Sequence, residues 1–430
     1  MYPNLYPNQP GKTAGHAARA FVAAEIRDGA GVRAAPGAVA FGDGRVLAAG
    51  SEAEVRAAVP PETLWQRRPD CLLLPGLVNA HAHLDLTSVS PVAYGGSFVS
   101  WLKMVTEARP KDETTIDRAV REGARRSYAA GVLTIGDIAG SPTATDALRQ
   151  TGLRGVSFRE FFGIGGASRD RALGEMEQWA ASIQGDGIVR DGLQPHAPYS
   201  CGRDLYRRAA ELALAADLPL CTHLAETREE LQFIAEGKGP FAELLDELGK
   251  SGDVSEVDYG RGARPVPWLF GEDLSEKPPW LCAHANYVDD DEIERLGAAG
   301  ASVVYCPRAS QYFGHHGHRY RDMLAAGVKV CLGTDSIVCH GTLSILDEMK
   351  FLFRRDGTDP ERLLEMATVN GMQGLGLPAA EASFRVGSSP GLVAYTSSGG
   401  GFAGLLAGDT EPHIEVLVGT GPESTERNTA

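Results

Sequence analysis

The chain of 430 residues contains no run of about 18 apolar residues, the length a helix needs to cross a bilayer. Its first fifteen residues place prolines and asparagines where a secretory leader requires an apolar core, so the expectation is an unstructured arm over 1–15 on a cytoplasmic protein. Cysteine is sparse: the seven thiols are scattered, odd in number and without a CxxC pair, which argues against a disulfide framework and for reduced thiols. Positive charge is in deficit, with 41 Lys and Arg against 56 Asp and Glu and a formal net charge of -15. A nucleic-acid backbone or an anionic membrane surface would repel such a chain, leaving a small molecule as the expected partner. No GxGxxG follows the first candidate strand of the alternating region and GxxxxGK[ST] occurs nowhere, which argues against the phosphate loops of the nucleotide-binding sheets. What remains, 43% hydrophobic and 23% charged, is the composition of a globular enzyme able to bury a large core.

Short β-like runs at 19–26, 38–41 and 45–48 are separated by glycine-rich turns such as Gly42-Asp43-Gly44, and a short helix is expected over 51–58. Similar runs return at 387–395 and 414–418, so residues 16–74 and 376–430 are expected to build one small β-sandwich domain from both termini. Between them the pattern changes to strand followed by helix. Eight candidate strands lie at 72–80, 132–137, 155–161, 187–194, 219–223, 280–284, 301–306 and 329–334. Helical stretches of crossover length separate them, which fits an α/β chain folded as a (β/α)8 TIM barrel over 75–375 better than an open doubly wound sheet. The Gly- and Pro-rich stretch 251–279 reads as an elaborated loop at the barrel mouth.

The first barrel strand delivers His81 and His83 at its polar end. Alternation along a strand points both rings the same way, giving half of a metal site or, equally well, two hydrogen-bonded loop histidines. In a barrel the C-terminal strand ends face the active site. The fifth strand runs into His223 and Glu226, the sixth into His284, and the eighth into Asp335. Any one of these residues has a bland explanation, a satisfied structural histidine or a helix cap. Titratable residues at four strand ends of one rim favour a metal or acid–base centre instead.

Those stretches, HAH at 81–83, HLAE at 223–226, His284 and GTDS at 333–336, resemble the amidohydrolase superfamily in its cytosine deaminase-like or chlorohydrolase-like branch, and the likeness covers nearly the whole chain. The resemblance implies one divalent metal ion, zinc by default with iron or manganese as alternatives, held by His81, His83, His223 and Asp335. Such a donor set keeps a coordination position open for water and draws that water's pKa towards neutrality. It further implies Glu226 as the proton shuttle, Asp335 as acceptor of the water's proton, and His284 as the group that positions or polarises the water or the leaving group. The fourth strand, 187–194, carries no lysine for a carbamylated bridge, which disfavours a second metal. A homodimer is implied as well.

Within the branch, FVSWL at 98–102, PHAPYS at 195–200 and CPRASQYFGH at 306–315 are most similar to aminodeoxyfutalosine deaminases of menaquinone biosynthesis, followed by S-adenosylhomocysteine and methylthioadenosine deaminases. The implied reaction is hydrolytic release of ammonia from an aminated purine in a nucleoside-like substrate, with His196, Trp101, Arg308 and Ser336 as substrate contacts. Guanine deamination, triazine hydrolysis, opening of a cyclic amide, or a catalytically silent binding relative are the alternatives. The aromatic pair Phe98 and Trp101 reads equally well as core, and His315, His316 and His318 as a loop cluster rather than a second metal site. Two departures from the branch stand out. Ser336 leads into Ile337-Val338-Cys339-His340 where relatives often show small residues and asparagines, and 387–392 lacks the usual aspartate.

Overall fold

The computed structural model describes residues 17–183, 187–271, 278–396 and 399–420; the arm expected over 1–15 lies outside them. Strands Arg19–Arg27, Arg33–Ala34, Gly37–Gly42, Arg45–Gly50 and Leu64–Leu74 join Leu392–Thr396 and Ile414–Val418 in one seven-stranded mixed sheet, so both ends of the chain do meet in a single β structure. Its two faces follow the alternation of the first strand. Ala20 and Val22 pack under Val55 of the helix Glu52–Ala58, while Phe21, Ala23 and Ile26 pack on the opposite side with Leu73, Leu392 and Val418. The parity changes between Ala23 and Ile26 because the register shifts between Ala23 and Glu25, a bulge that returns Ile26 to the inner face.

The apolar run at 72–80 is not one strand. Leu64–Leu74 ends in the terminal sheet, and after Pro75-Gly76 the chain restarts as Leu77–Ala82 in the barrel. Gly76 allows that close crossing: a Cβ there would meet the side chain of Leu133 at 2.6 Å, and its N–H donates to the Pro390 carbonyl (3.0 Å).

We number the barrel strands β1 (Leu77–Ala82), β2 (Val132–Ala139), β3 (Arg154–Phe161), β4 (Val189–Pro195), β5 (Leu220–Leu224), β6 (Trp280–His284), β7 (Ser302–Tyr305) and β8 (Lys329–Leu332). Each is parallel to its neighbour in chain order, and a bridge between Ala82 and Asp335 links the last strand end to the first. The strands are buried almost throughout, as parallel strands covered by helices must be. Helices sit where sequence periodicity places them, for instance Glu113–Ala129, Arg203–Ala216 and Ile345–Asp356, capped by Asp112, Gly202 and Ser344.

Several helices form in stretches to which the sequence pattern assigned none, among them Phe98–Ala108, Pro142–Arg149 and Pro240–Glu247, the last two opening on a proline, which is compatible with a helix's first turn. The stretch 251–279 is likewise not a plain loop. Ser251–Ser255 and Pro265–Leu269 are helical, with Trp268 fully buried; residues 272–277 fall outside the described residues. Among the described residues no helix is long and apolar enough to cross a membrane.

Candidate active site

The ends of β1, β5, β6 and β8 converge on one buried cluster. Ring centroids of His81 and His83 are 5.1 Å apart, His81 and His223 5.0 Å, and His223 and His284 5.3 Å. Ligand atoms of His81, His83 and His223 lie within 4.8 Å of one another, and those of His81, His284 and Asp335 do likewise. Asp335 Oδ1 is 3.5 Å from His83 Nε2 and 3.7 Å from His81 Nε2. His284 therefore stands at ligand distance too, beyond the four ligands expected from sequence.

The donor set fits a single divalent cation. Both ring nitrogens of His81, Nδ1 of His83 and Nε2 of His284 are buried without a hydrogen-bond partner, an arrangement that buried polar atoms rarely tolerate without an ion. Burial, then neighbouring imidazoles, holds His81, His83 and His284 well below the ordinary histidine value, so the rings are neutral and their lone pairs available. His223 is lowered by burial as well, and its Nδ1 faces the His196 carbonyl at 2.9 Å, which orients Nε2 towards the cluster. Burial pushes the Asp335 carboxyl up to about 7, and a cation beside it would favour the ionised form.

Glu226 stands beside this cluster with Oε1 3.5 Å from His284 Nε2. Burial and then the Asp335 charge raise its carboxyl well above the ordinary range. Its loop is pinned by Glu230, whose two carboxylate oxygens accept the backbone N–H groups of Ala225 (2.9 Å) and Glu226 (2.7 Å), and by Asn286, whose amide donates to the Glu226 carbonyl (3.0 Å). Strain gathers here. Ala225, His284, Ala285 and Asp335 have φ of +50°, +73°, +49° and +58°, all non-glycine residues in left-handed conformations at strand ends.

The expected substrate contacts are placed unevenly. The His196 ring lies 4.9 Å from that of His223, with Nδ1 2.7 Å from Ser200 Oγ. Trp101 lies on the Phe98–Ala108 helix and packs edge-on against Phe313 at 4.8 Å; Phe98 is buried in the core and Trp101 is half-buried. Arg308 is turned towards Asp347, with Nη1 3.5 Å from Oδ2. Ser336 is a helix cap, its hydroxyl accepting the Val338 N–H (3.1 Å).

Sequence reading missed a second buried set. Arg109 donates from Nε to Asp85 (2.9 Å) and from Nη1 to Glu160 (2.8 Å), and the other Glu160 oxygen is 3.8 Å from His196 Nε2. Burial pushes the Glu160 carboxyl up, but Arg109, His196 and His223 outweigh it and leave the carboxyl below its ordinary value. Asp137, at the end of β2, accepts the Leu84 N–H (2.9 Å) and is raised to about 8 by burial. Asp137 and Glu160 are strand-end residues, and inspecting β2 and β3 as the other strands were inspected would have exposed them. Glu230 had a signal too, the Thr227-x-x-Glu230 spacing that opens a capped helix.

Residues 72–410 match the model of the Amidohydrolase family. The chain is 29% identical over 358 residues to aminodeoxyfutalosine deaminase of Deinococcus radiodurans, covering 81% of this chain and 83% of that protein. It is 29% identical over 356 residues to 5-methylthioadenosine/S-adenosylhomocysteine deaminase of Nitratidesulfovibrio vulgaris, covering 80% and 75%. Among solved structures, an adenosine deaminase from Xanthomonas campestris with bound zinc superposes with a TM-score of 0.73 at 21% identity, over 93% of this chain and 92% of that one.

Proposed function

The chain belongs to the amidohydrolase family, a family of hydrolases, and from that membership and the geometry of its site we propose that it deaminates the adenine-type base of a nucleoside. The observation that carries the reading is the placement of Glu226, a buried carboxyl whose affinity for a proton is raised by burial, 3.5 Å from His284 and beside the His81, His83, His223 and Asp335 donors. The names of the two relatives support the substrate class, and aminodeoxyfutalosine and 5′-methylthioadenosine are the first compounds to test.

Zinc suits three neutral imidazoles and one carboxylate, and when bound it supplies Lewis acidity to a water molecule. In this reading Glu226 delivers a proton to a ring nitrogen, which makes the adjacent amino-bearing carbon electrophilic. Asp335 takes the proton that the attacking water loses. His284 orients that water through Nε2; Asp335 passes its proton to the amino group, ammonia departs as the carbonyl forms, and the proton released from the added hydroxyl returns to Glu226. Water and the aminated ring thus become ammonia and the oxo ring. His196, projecting beside His223, is the substrate contact best placed to read the base.

The test is ammonia release from a panel of adenine nucleosides, including aminodeoxyfutalosine, 5′-methylthioadenosine and S-adenosylhomocysteine, with guanine and a chlorinated triazine as comparison compounds. Release from at least one adenine nucleoside, and less from the comparison compounds, is expected. No release from any of the nucleosides would overturn the reading.

A further inference from the structure

We propose that His318 is a positioning residue for the reaction, fixing the backbone of His284 so that its ring faces Glu226. The side chain of His318 donates from Nε2 to the main-chain carbonyl of His284 at 2.8 Å. That carbonyl belongs to a residue at φ +73° and is followed by Ala285 at φ +49°. Two successive left-handed non-glycine residues hold only where the surroundings over-determine them. Here the Ala285 N–H is tied to the Leu224 carbonyl (2.9 Å), and His318 secures the carbonyl on the other side of the turn. With the backbone so held, His284 Nε2 sits 3.5 Å from Glu226 Oε1.

His318 is itself seated. Its ring lies flat on Tyr305, with centroids 3.7 Å apart and planes 18° from parallel, and the Tyr305 hydroxyl accepts from Arg355 (3.0 Å). The loop that carries it turns at Gly314 and Gly317, both at φ +75°. Two more contacts fasten that loop to the end of β6. Ser310 donates to Asn286 Oδ1 (2.9 Å), and the Tyr287 hydroxyl meets His315 Nδ1 (2.8 Å). Because Asn286 also donates to the Glu226 carbonyl, the loop after β7 clasps both residues. The histidine-rich stretch thus serves as a brace for β6 and not as a second metal site.

The kinetic half of this inference rests on the deaminase reading, whereas its structural half does not. His318→Phe keeps a flat ring on Tyr305 and removes the donor, while His318→Gln restores an N–H. Crystal structures of both variants, metal content, and kcat and KM with 5′-methylthioadenosine are measured against wild type, with the exposed His316→Ala as control. In His318→Phe we expect His284 to leave the left-handed region, kcat to fall at least tenfold, and KM and metal content to stay within twofold. His318→Gln should recover most of the loss. An unmoved His284 in His318→Phe, a moved His284 with wild-type kcat, or equal losses in both variants accompanied by metal loss would each overturn the assignment. If wild type releases no ammonia from 5′-methylthioadenosine, that substrate fails and the crystal structures still decide the positioning.

Discussion

The backbone N–H of Asp335 donates to the carbonyl of His81 at 3.0 Å, so the last strand's carboxylate and the first strand's histidine are fastened by one main-chain bond. The closure of the barrel and the assembly of the cluster are therefore the same event. Thr334 N–H shares that carbonyl, and Asn79 clamps Thr334 from below, donating to its hydroxyl (2.8 Å) and accepting its N–H (3.1 Å).

Asn79, whose Oδ1 also accepts the His81 N–H (3.4 Å), is accordingly expected to matter for the site without being one of its donors. Asn79→Ala leaves the buried Thr334 hydroxyl short of a partner and should cost about 2 kcal/mol of stability. The measurement is denaturant unfolding together with zinc retained after dialysis. Unchanged zinc retention in a destabilised variant would separate barrel closure from the cluster.

Arg109 is the cation between two buried carboxylates, Asp85 and Glu160. Removing it in Arg109→Leu strands two charges and should destabilise by about 3 kcal/mol, whereas Glu160→Gln keeps the Asp85 pair and should cost about 1 kcal/mol. Unfolding midpoints of the two variants check the order, and equal losses would contradict it.

Glu348 gives the pH dependence a sign. It is fully buried on the Ile345–Asp356 helix, accepts the Arg308 N–H (3.0 Å) with one oxygen, and holds the other without a hydrogen bond, 3.8 Å from His340 Nε2. Burial raises its carboxyl from 4.5 to about 8. The unfolded chain ionises near 4.5 and the folded chain near 8, so between these values unfolding releases a proton and this group's contribution falls as pH rises. Glutamine keeps an acceptor and does not titrate. Relative to wild type, Glu348→Gln should gain about 1 kcal/mol or more between pH 5 and pH 8.5, read by chemical denaturation at both. A difference independent of pH would refute it.

The barrel was legible because parallel buried strands leave eight apolar runs separated by helical periods, and the first, fifth, sixth and eighth of them lead into titratable residues where the rim begins. His81, His83, His223, His284 and Asp335 were legible for that reason, and the structure brings all five together. Where the sequence misled, the cause was local. Pro75-Gly76 interrupts an apolar run that continues across two sheets, and proline-initiated helices at Pro142 and Pro240 look like turns in a linear reading. Arg109 was invisible because its partners are distant in sequence, 24 residues away at Asp85 and 51 at Glu160. The hydroxyl of Ser336 accepts a helix-capping N–H, a local hydrogen bond that motif comparison does not register.

The central claim is that Glu226 moves a proton within an otherwise complete metal site. The direct measurement is ammonia release by zinc-loaded Glu226→Gln against wild type on aminodeoxyfutalosine and 5′-methylthioadenosine, with zinc content determined on the same samples. We expect zinc content equal to wild type and a rate lower by about a thousandfold, in the range that removal of a positioned general acid produces. Full zinc content with wild-type turnover would contradict the claim.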